Sequence, residues 1–218
     1  MKKEIYILGI GHNSITIIDL CQDCGYTIKG LIHYNEDRTG ELFFGHKIIG
    51  SFKEFLSSEF CKGKNFALSM GNMQIKSSLF KKILELGGNV PTLIHPSSYI
   101  SLNSKIGKGV QIMQQCIVEG DVIIEDDTSI TVNTVIAHSV KIGKHNLISG
   151  NVMVGAYAEI GQYNHIGQGS VIVSGKVDYI RNNCILGAGA VLISNMDSNC
   201  VFIGNPAKFL RHTNTVTN

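Results

Sequence analysis

Tryptophan is absent from this chain, and proline occurs only three times in 218 residues. Aromatic residues make up just 7%, so stacked rings cannot supply the core. Isoleucine and valine must fill it, and with 24 glycines the composition leans towards β structure with tight corners. A basic block is missing as well: 19 basic and 17 acidic residues give a net charge of +2, without the electrostatic footprint of nucleic-acid binding. No apolar run approaches the roughly 20 residues of a spanning helix, so no membrane insertion is expected. The opening Met1-Lys2-Lys3-Glu4-Ile5 starts like a secretory leader, but Gly9, Gly11, His12 and Asn13 break the apolar run early and no small-residue cleavage site follows. A cytoplasmic protein is expected. Its six cysteines lack a disulfide-framework spacing. Cys21 and Cys24 form a lone C-x-x-C within a helical pattern, for which reduced buried thiols are the expectation and a metal or redox role the alternative.

What the chain does have is a repeat. Every sixth residue from Ile100 through Ile172 is Ile or Val: 100, 106, 112, 118, 124, 130, 136, 142, 148, 154, 160, 166 and 172. After a two-residue slip the phase returns at Ile180, Leu186 and Leu192. Glycine often follows the apolar residue, as at Gly107, Gly143, Gly155, Gly161, Gly167 and Gly187. The fifth position of each hexad is small or slim, as at Val110, Cys116, Thr128, Ala158 and Ala190. Asn146 and Asn164 also stand there, and Asn tolerates left-handed backbone angles at a corner. A period of six is neither helical nor a simple strand alternation. It suits a short strand followed by a bend, and three such sides close a triangular coil. Stacked coils bury one continuous Ile/Val column that no single coil could bury alone.

This pattern resembles the hexapeptide-repeat acyltransferases, whose repeat reads [LIV]-G-x-x-[STAV]-x. The resemblance implies a left-handed parallel β-helix and a homotrimer with active sites between subunits. The segment Ile203-Gly204-Asn205-Pro206-Ala207-Lys208 is similar to the G-x-P-A-K ending of CoA-dependent members.

The first ninety residues read differently. Glu4 to Leu8 is a buried strand, followed by Gly9-Ile10-Gly11-His12-Asn13-Ser14 and a helical pattern from Ile15 to Cys24. Thr27 to His33 reads as a second strand. Ile48-Ile49-Gly50-Ser51 reads as a turn into a helix near Phe52 to Phe60, with Ser51 as N-cap. Phe66 to Met70 is a third strand and Gln74 to Leu86 a helix stopped by Gly87-Gly88. Val90 to Ile94 is a fourth. Alternating strands and helices predict a small parallel α/β sheet, whose ligands sit at the strands' carboxyl ends. Those ends are Gly9, Gly11, His12 and Asn13; His33; and Gly71 and Asn72. The glycine loop opens a helix and its N–H groups could hold a phosphate, although the third glycine of the dinucleotide fingerprint is replaced by Ser14.

A Rossmann-like domain over residues 1–94, followed by a left-handed β-helix over residues 95–218, resembles the sugar acetyltransferases of the sialic acid O-acetyltransferase type. It is most similar to those that N-acetylate nucleotide-linked 4-amino sugars. The resemblance implies acetyl-CoA as co-substrate, no metal, and a first domain that binds the nucleotide of the acceptor. It places the catalytic role on His138 in Val135-Ile136-Ala137-His138-Ser139, with an imidazole suited to general-base work near neutral pH and Ser139 as its partner. It implies CoA contacts at Gly155, Ala156, Gly167, Gln168, Gly187, Ala188, Gly189, Asn205, Pro206 and Lys208, with Lys208 and Arg211 meeting phosphates. One coil apart, Gly120, His138 and Ala156 share an edge, and the N–H groups of the Gly155-Ala156 layer could stabilise an oxyanion. His145 and His165 read as surface or inter-subunit residues.

The chain departs from the family at Ser139, where relatives carry Asp or Glu, and at Thr131 and Leu147, where many carry Asn and His. It departs again at His33-Tyr34-Asn35, where an acidic pair is usual. N-acetylation and O-acetylation of a sugar are not separated by these residues. Ser139 and Thr131 also motivate a non-catalytic nucleotide-sugar-binding trimer. A zinc enzyme of the γ-carbonic anhydrase kind would need three converging histidines, a spacing that His138, His145 and His165 do not resemble.

Overall fold

The structure, a computed structural model, describes residues 3–11 and 13–213. The chain divides into two compact units, residues 1–93 and 94–218. In the first unit, β1 (Lys3–Leu8), α1 (Ser14–Asp23), β2 (Tyr26–His33), β3 (Leu42–Phe43), β4 (His46–Ser51), α2 (Phe52–Phe55), α3 (Ser58–Cys61), β5 (Phe66–Leu68) and α4 (Met73–Glu85) follow in order. The sheet runs β3-β4-β2-β1-β5, parallel throughout except for the β3–β4 hairpin. Ile5, Ile7, Leu8, Leu31, Ile32 and Phe66 are fully buried, as expected for strands covered by helices. α4 is capped at both ends as its sequence foretells: Asn72 Oδ1 accepts from Gln74 and Ile75 N–H at 3.0 Å each, and Gly87 turns out of the helix at φ 77°.

Three expectations change here. Ile48 to Ser51 is strand rather than turn, because His46–Ser51 pairs with β2 in parallel. Ser51 does cap, accepting from Glu54 N–H at 3.3 Å, but the helix it opens ends at Phe55 and a second starts after Ser57. The strand read at Val90 to Ile94 shrinks to Leu93–Ile94, with a single parallel bridge from Asn89 to Asn65.

The second unit is a stack of triangular coils. Two-residue strands fall on three faces, each strand pairing in parallel with the one a coil later. The first face carries Tyr99–Ile100, Ile117–Val118, Val135–Ile136, Met153–Val154, Val171–Ile172 and Val191–Leu192. The second runs from Lys105–Ile106 to Tyr179–Ile180. The third runs from Gln111–Ile112 to Ile185–Leu186 and on to Cys200–Ile203, which is met antiparallel by Lys208–His212. In each strand the second residue points inward, and these side chains form one core with Ile112, Ile130, Ile136, Ile148 and Ile166 at 0% exposure. The two-residue slip is a longer coil: Glu159 pairs with Tyr179 where Lys141 pairs with Glu159. This architecture fits the left-handed parallel β-helix expected.

The corners correct one detail. The left-handed residue is the one before the slim position, as at Ser139, His145, Asn151, Tyr157 and Tyr163, with φ between 57° and 66° across the last two. Asn146 and Asn164 are instead buried inside. Asn146 Nδ2 donates to the carbonyls of Gly143 and Gly161, both at 2.7 Å, while its Oδ1 accepts from Asn164 N–H at 2.7 Å. Asn164 Oδ1 then accepts from Cys184 N–H at 2.7 Å. An amide ladder thus supplies partners for backbone groups that turn inward at this corner.

Candidate active site

His138 lies on the corner between the first and second faces and is exposed. Backbone bonds fix the column: Ser139 N–H donates to Gly120 carbonyl at 3.0 Å, and Tyr157 N–H to His138 carbonyl at 3.3 Å. The imidazole meets the Tyr157 ring edge-on, with centroids 5.0 Å apart. Its backbone N–H donates to Glu119 Oε2 at 2.8 Å. Its Nδ1 lies 3.5 Å from Ser139 Oγ, which donates to Asp121 Oδ2 at 3.0 Å. Asp121, Ser139 and Tyr157 occupy equivalent corner positions in successive coils, all with positive φ.

Ser139 therefore does not stand alone where an acid was expected; a carboxylate reaches it from the coil before. Asp121, Glu119 and Tyr157 did not emerge from the sequence as site residues. The signal was available, since stepping one coil back from Ser139 lands on Asp121. An open groove of about 330 Å³ runs along the adjoining second face, lined by residues that include Lys141, Glu159, Tyr179 and Arg181. Lys141 Nζ donates to Glu159 at 2.7 Å, which raises its pKa first through that bond and also through the charges of Glu159 and Asp121.

The residues expected to hold CoA fall on two corners. Gly155 and Ala156 share the His138 corner. Gly167, Gln168, Gly187, Ala188 and Gly189 lie between the third and first faces, where Gly189 N–H donates to Gln168 carbonyl at 2.8 Å. The first face separates the two sets, so one chain does not bring them together. Asn205, Pro206 and Lys208 follow the last coil, where Ala207 N–H donates to Val191 carbonyl at 2.8 Å; Lys208 and Arg211 are exposed. Gly155 has a structural reason of its own: a Cβ there would stand 2.4 Å from Ser174 N and 2.6 Å from Ile172 O. Its N–H donates to Ile172 carbonyl at 2.9 Å, so it is not a vacant oxyanion donor.

In the first unit the residues expected to bind substrate lie at the carboxyl ends of β2, β1 and β5, which are neighbours in the sheet. His12 is outside the described residues. The loop is closed on itself by Ser14, whose Oγ accepts from Gly11 N–H at 2.8 Å and sits 2.7 Å from Ser69 Oγ. Gly9 N–H donates to Ile32 carbonyl. Two N–H groups expected to face a phosphate are thus engaged within the fold. Asn13 makes no side-chain cap to α1. Near it, a Cβ on Gly71 would come 3.9 Å from Asn13 Nδ2. His33 is buried, with Nδ1 accepting from Asn35 N–H at 3.1 Å and the exposed Tyr34 ring 4.2 Å away. Asn72 caps α4.

His145, expected at the surface, is 4% exposed. Its Nδ1 is 2.9 Å from Asp127 Oδ2 and its ring stacks on Tyr163. His165 stays exposed beside Ser149. Burial, with a lesser effect from Cys24, pushes the Cys21 thiol up to about 12, which leaves it protonated and poorly nucleophilic. Among the described residues no group of three or more His, Cys, Asp or Glu is placed to hold a metal ion. No helix among them is long and apolar enough to cross a membrane.

Solved structures share this fold. The perosamine N-acetyltransferase of Caulobacter crescentus, solved with CoA and GDP-perosamine, superposes with a TM-score of 0.86 at 22% identity, over 95% of this chain and 97% of that one. The acetyltransferase domain of PglB from Neisseria gonorrhoeae gives 0.84 at 23% identity, over 95% of this chain and 100% of that one. At these identities the likeness is one of fold. No family model matches the chain. An uncharacterized protein, L142, of Acanthamoeba polyphaga mimivirus is 30% identical over 107 residues, which are 48% of this chain and 20% of that protein. The match thus spans about a fifth of that relative's length.

Proposed function

We propose that this chain is an acetyl-CoA-dependent N-acetyltransferase acting on a nucleotide-linked amino sugar, with His138 as general base. The observation that carries the proposal is the exposed imidazole whose Nδ1 faces a hydroxyl already donating to a carboxylate. The Ser139 hydroxyl has one proton and gives it to Asp121, so it can only accept from Nδ1–H. That tautomer leaves the Nε2 lone pair free to take a proton. The amine of the acceptor attacks the thioester carbonyl, a C–N bond forms and the C–S bond breaks. His138 removes the amine's proton during attack and returns it to the departing sulfur. The likeness to an enzyme solved with CoA and GDP-perosamine supports the choice of substrates.

The same reading assigns residues 1–94, as a Rossmann-like domain, to the acceptor's nucleotide. It assigns residues 95–218, as a left-handed β-helix, to acetyl transfer. It also implies a homotrimer. The outward residues of the first face are Tyr99, Ile117, Val135, Met153, Val171 and Val191, an apolar stripe in which Tyr99 is 62% exposed. Covering this face with a second copy removes the stripe from water. Because the face lies between the His138 corner and the Gly167–Gly189 corner, packing copies around it sets the base of one protomer near the CoA-binding glycines of the next. The experiment is to incubate the protein with acetyl-CoA and a panel of UDP-, dTDP- and GDP-linked amino sugars and to follow thiol release. Turnover with at least one amino sugar, and none with its hydroxyl counterpart, is expected. Silence across the panel with nucleotide binding intact would instead favour a binding protein.

A further inference from the structure

We propose that Asp121 is the positioning carboxylate for His138, acting across one coil of the β-helix through the Ser139 hydroxyl; the proposal rests on His138 being the general base. Three observations carry it. Ser139 Oγ donates to Asp121 Oδ2 at 3.0 Å. The same oxygen lies 3.5 Å from His138 Nδ1, at the loose end of hydrogen-bond distance and of a kind that tightens when substrate binds. The column is rigid, because Ser139 N–H is pinned to the Gly120 carbonyl that immediately precedes Asp121. An acid directly after the histidine is thereby replaced by a hydroxyl that relays an acid from the preceding coil. The carboxylate orients the hydroxyl, the hydroxyl selects the Nδ1–H tautomer, and Nε2 is left basic.

Other charged and polar groups stand around the imidazole. Glu119 bonds the His138 backbone N–H rather than its ring. Tyr157 presents its ring, and Lys141 on the following strand feels the charge of Asp121. Among the described residues, only Asp121 is linked to Nδ1 through a single hydroxyl.

The test measures kcat and KM in a productive pair of acetyl-CoA and amino-sugar nucleotide. The variants are Asp121→Asn, Ser139→Ala, the two combined, and Asp121→Asn combined with Ser139→Asp. Loss of either relay member is expected to lower kcat about 10- to 100-fold, on the scale of outer-shell partners of a histidine, with KM for acetyl-CoA unchanged. Two members acting in series are not additive, so the combined Asp121→Asn and Ser139→Ala variant should be no slower than the worse single variant. Placing the acid beside the imidazole, by Ser139→Asp in the Asp121→Asn background, should restore most of the lost rate; aspartate tolerates the left-handed backbone at that corner.

Wild-type kcat in Asp121→Asn would overturn the relay while leaving His138 in its role. So would multiplicative losses in the Asp121→Asn, Ser139→Ala combination. Both residues are at least partly exposed on a corner, so the stack does not depend on them, and Ser139→Ala with Ser139→Asp keeps the question open to refutation if one variant expresses poorly. Failure of the underlying reading shows itself separately, as full activity in His138→Ala.

Discussion

His138→Ala is expected to lower acetyl transfer at least about a hundredfold, within the range of roughly 10²–10⁴ that a positioned general base contributes. An amine attacking a thioester must shed a proton as the C–N bond forms, and among the described residues no second group on this corner is placed to accept it. Glu119 is turned to the backbone N–H, Asp121 is engaged by Ser139, and Tyr157 meets the imidazole with its ring, the two planes perpendicular. The loss should fall on kcat, with acetyl-CoA binding retained. The fold should be untouched, because the side chain is exposed and its backbone bonds persist in alanine. Circular dichroism and kinetics on the same preparation check both halves of the expectation.

Ile148→Ala is expected to cost about 2–5 kcal/mol of stability. Ile148 is 0% exposed and pairs between Ile130 and Ile166 in the inward column of the third face. Removing its side chain opens a void that the coils above and below cannot close, since their strands are locked in register by backbone bonds on both sides. In a coil stack each layer is held by its neighbours, so a weakened middle layer is felt along the whole column. Denaturant titration reads the change as a lower midpoint. A midpoint equal to that of the parent protein would mean that the column does not carry the stability of this unit.

The β-helix was legible because its signal is a strict one. Only an inward column demands Ile or Val at every sixth position, and a single polar residue there would have broken the run. The two-residue slip was equally readable, and it became a longer coil with parallel pairing preserved. The corners were harder. Asn146 suggested a left-handed turn by residue type, yet its amide sits inside and bonds two carbonyls, while His145 beside it takes the positive φ. Residue preference could not separate these two uses of a corner, because both satisfy backbone groups. In the first unit, Ile48-Ile49-Gly50 was too short to announce a strand; its partner β2 decides it.

At the candidate site, His138 came from a motif, and the structure places it exposed on a corner. Asp121 was missed because Ser139 lies eighteen positions away and no local motif links them; only the stacking of coils brings the carboxylate to 3.0 Å from the Ser139 hydroxyl. The glycines tell the reverse story. Gly155 fits a CoA-binding motif, yet the close backbone of the next coil already requires a residue without Cβ. Gly11 looked like a phosphate donor, and Ser14 takes its N–H instead.

The most direct measurement is a crystal structure of the protein with CoA and a nucleotide-linked amino sugar that it turns over. The expected result is an acceptor nitrogen within hydrogen-bond reach of His138 Nε2, with the CoA sulfur beside the same corner and the Nδ1 side still facing Ser139. An acceptor nitrogen bound away from this corner, with His138 in contact with solvent alone, would contradict it.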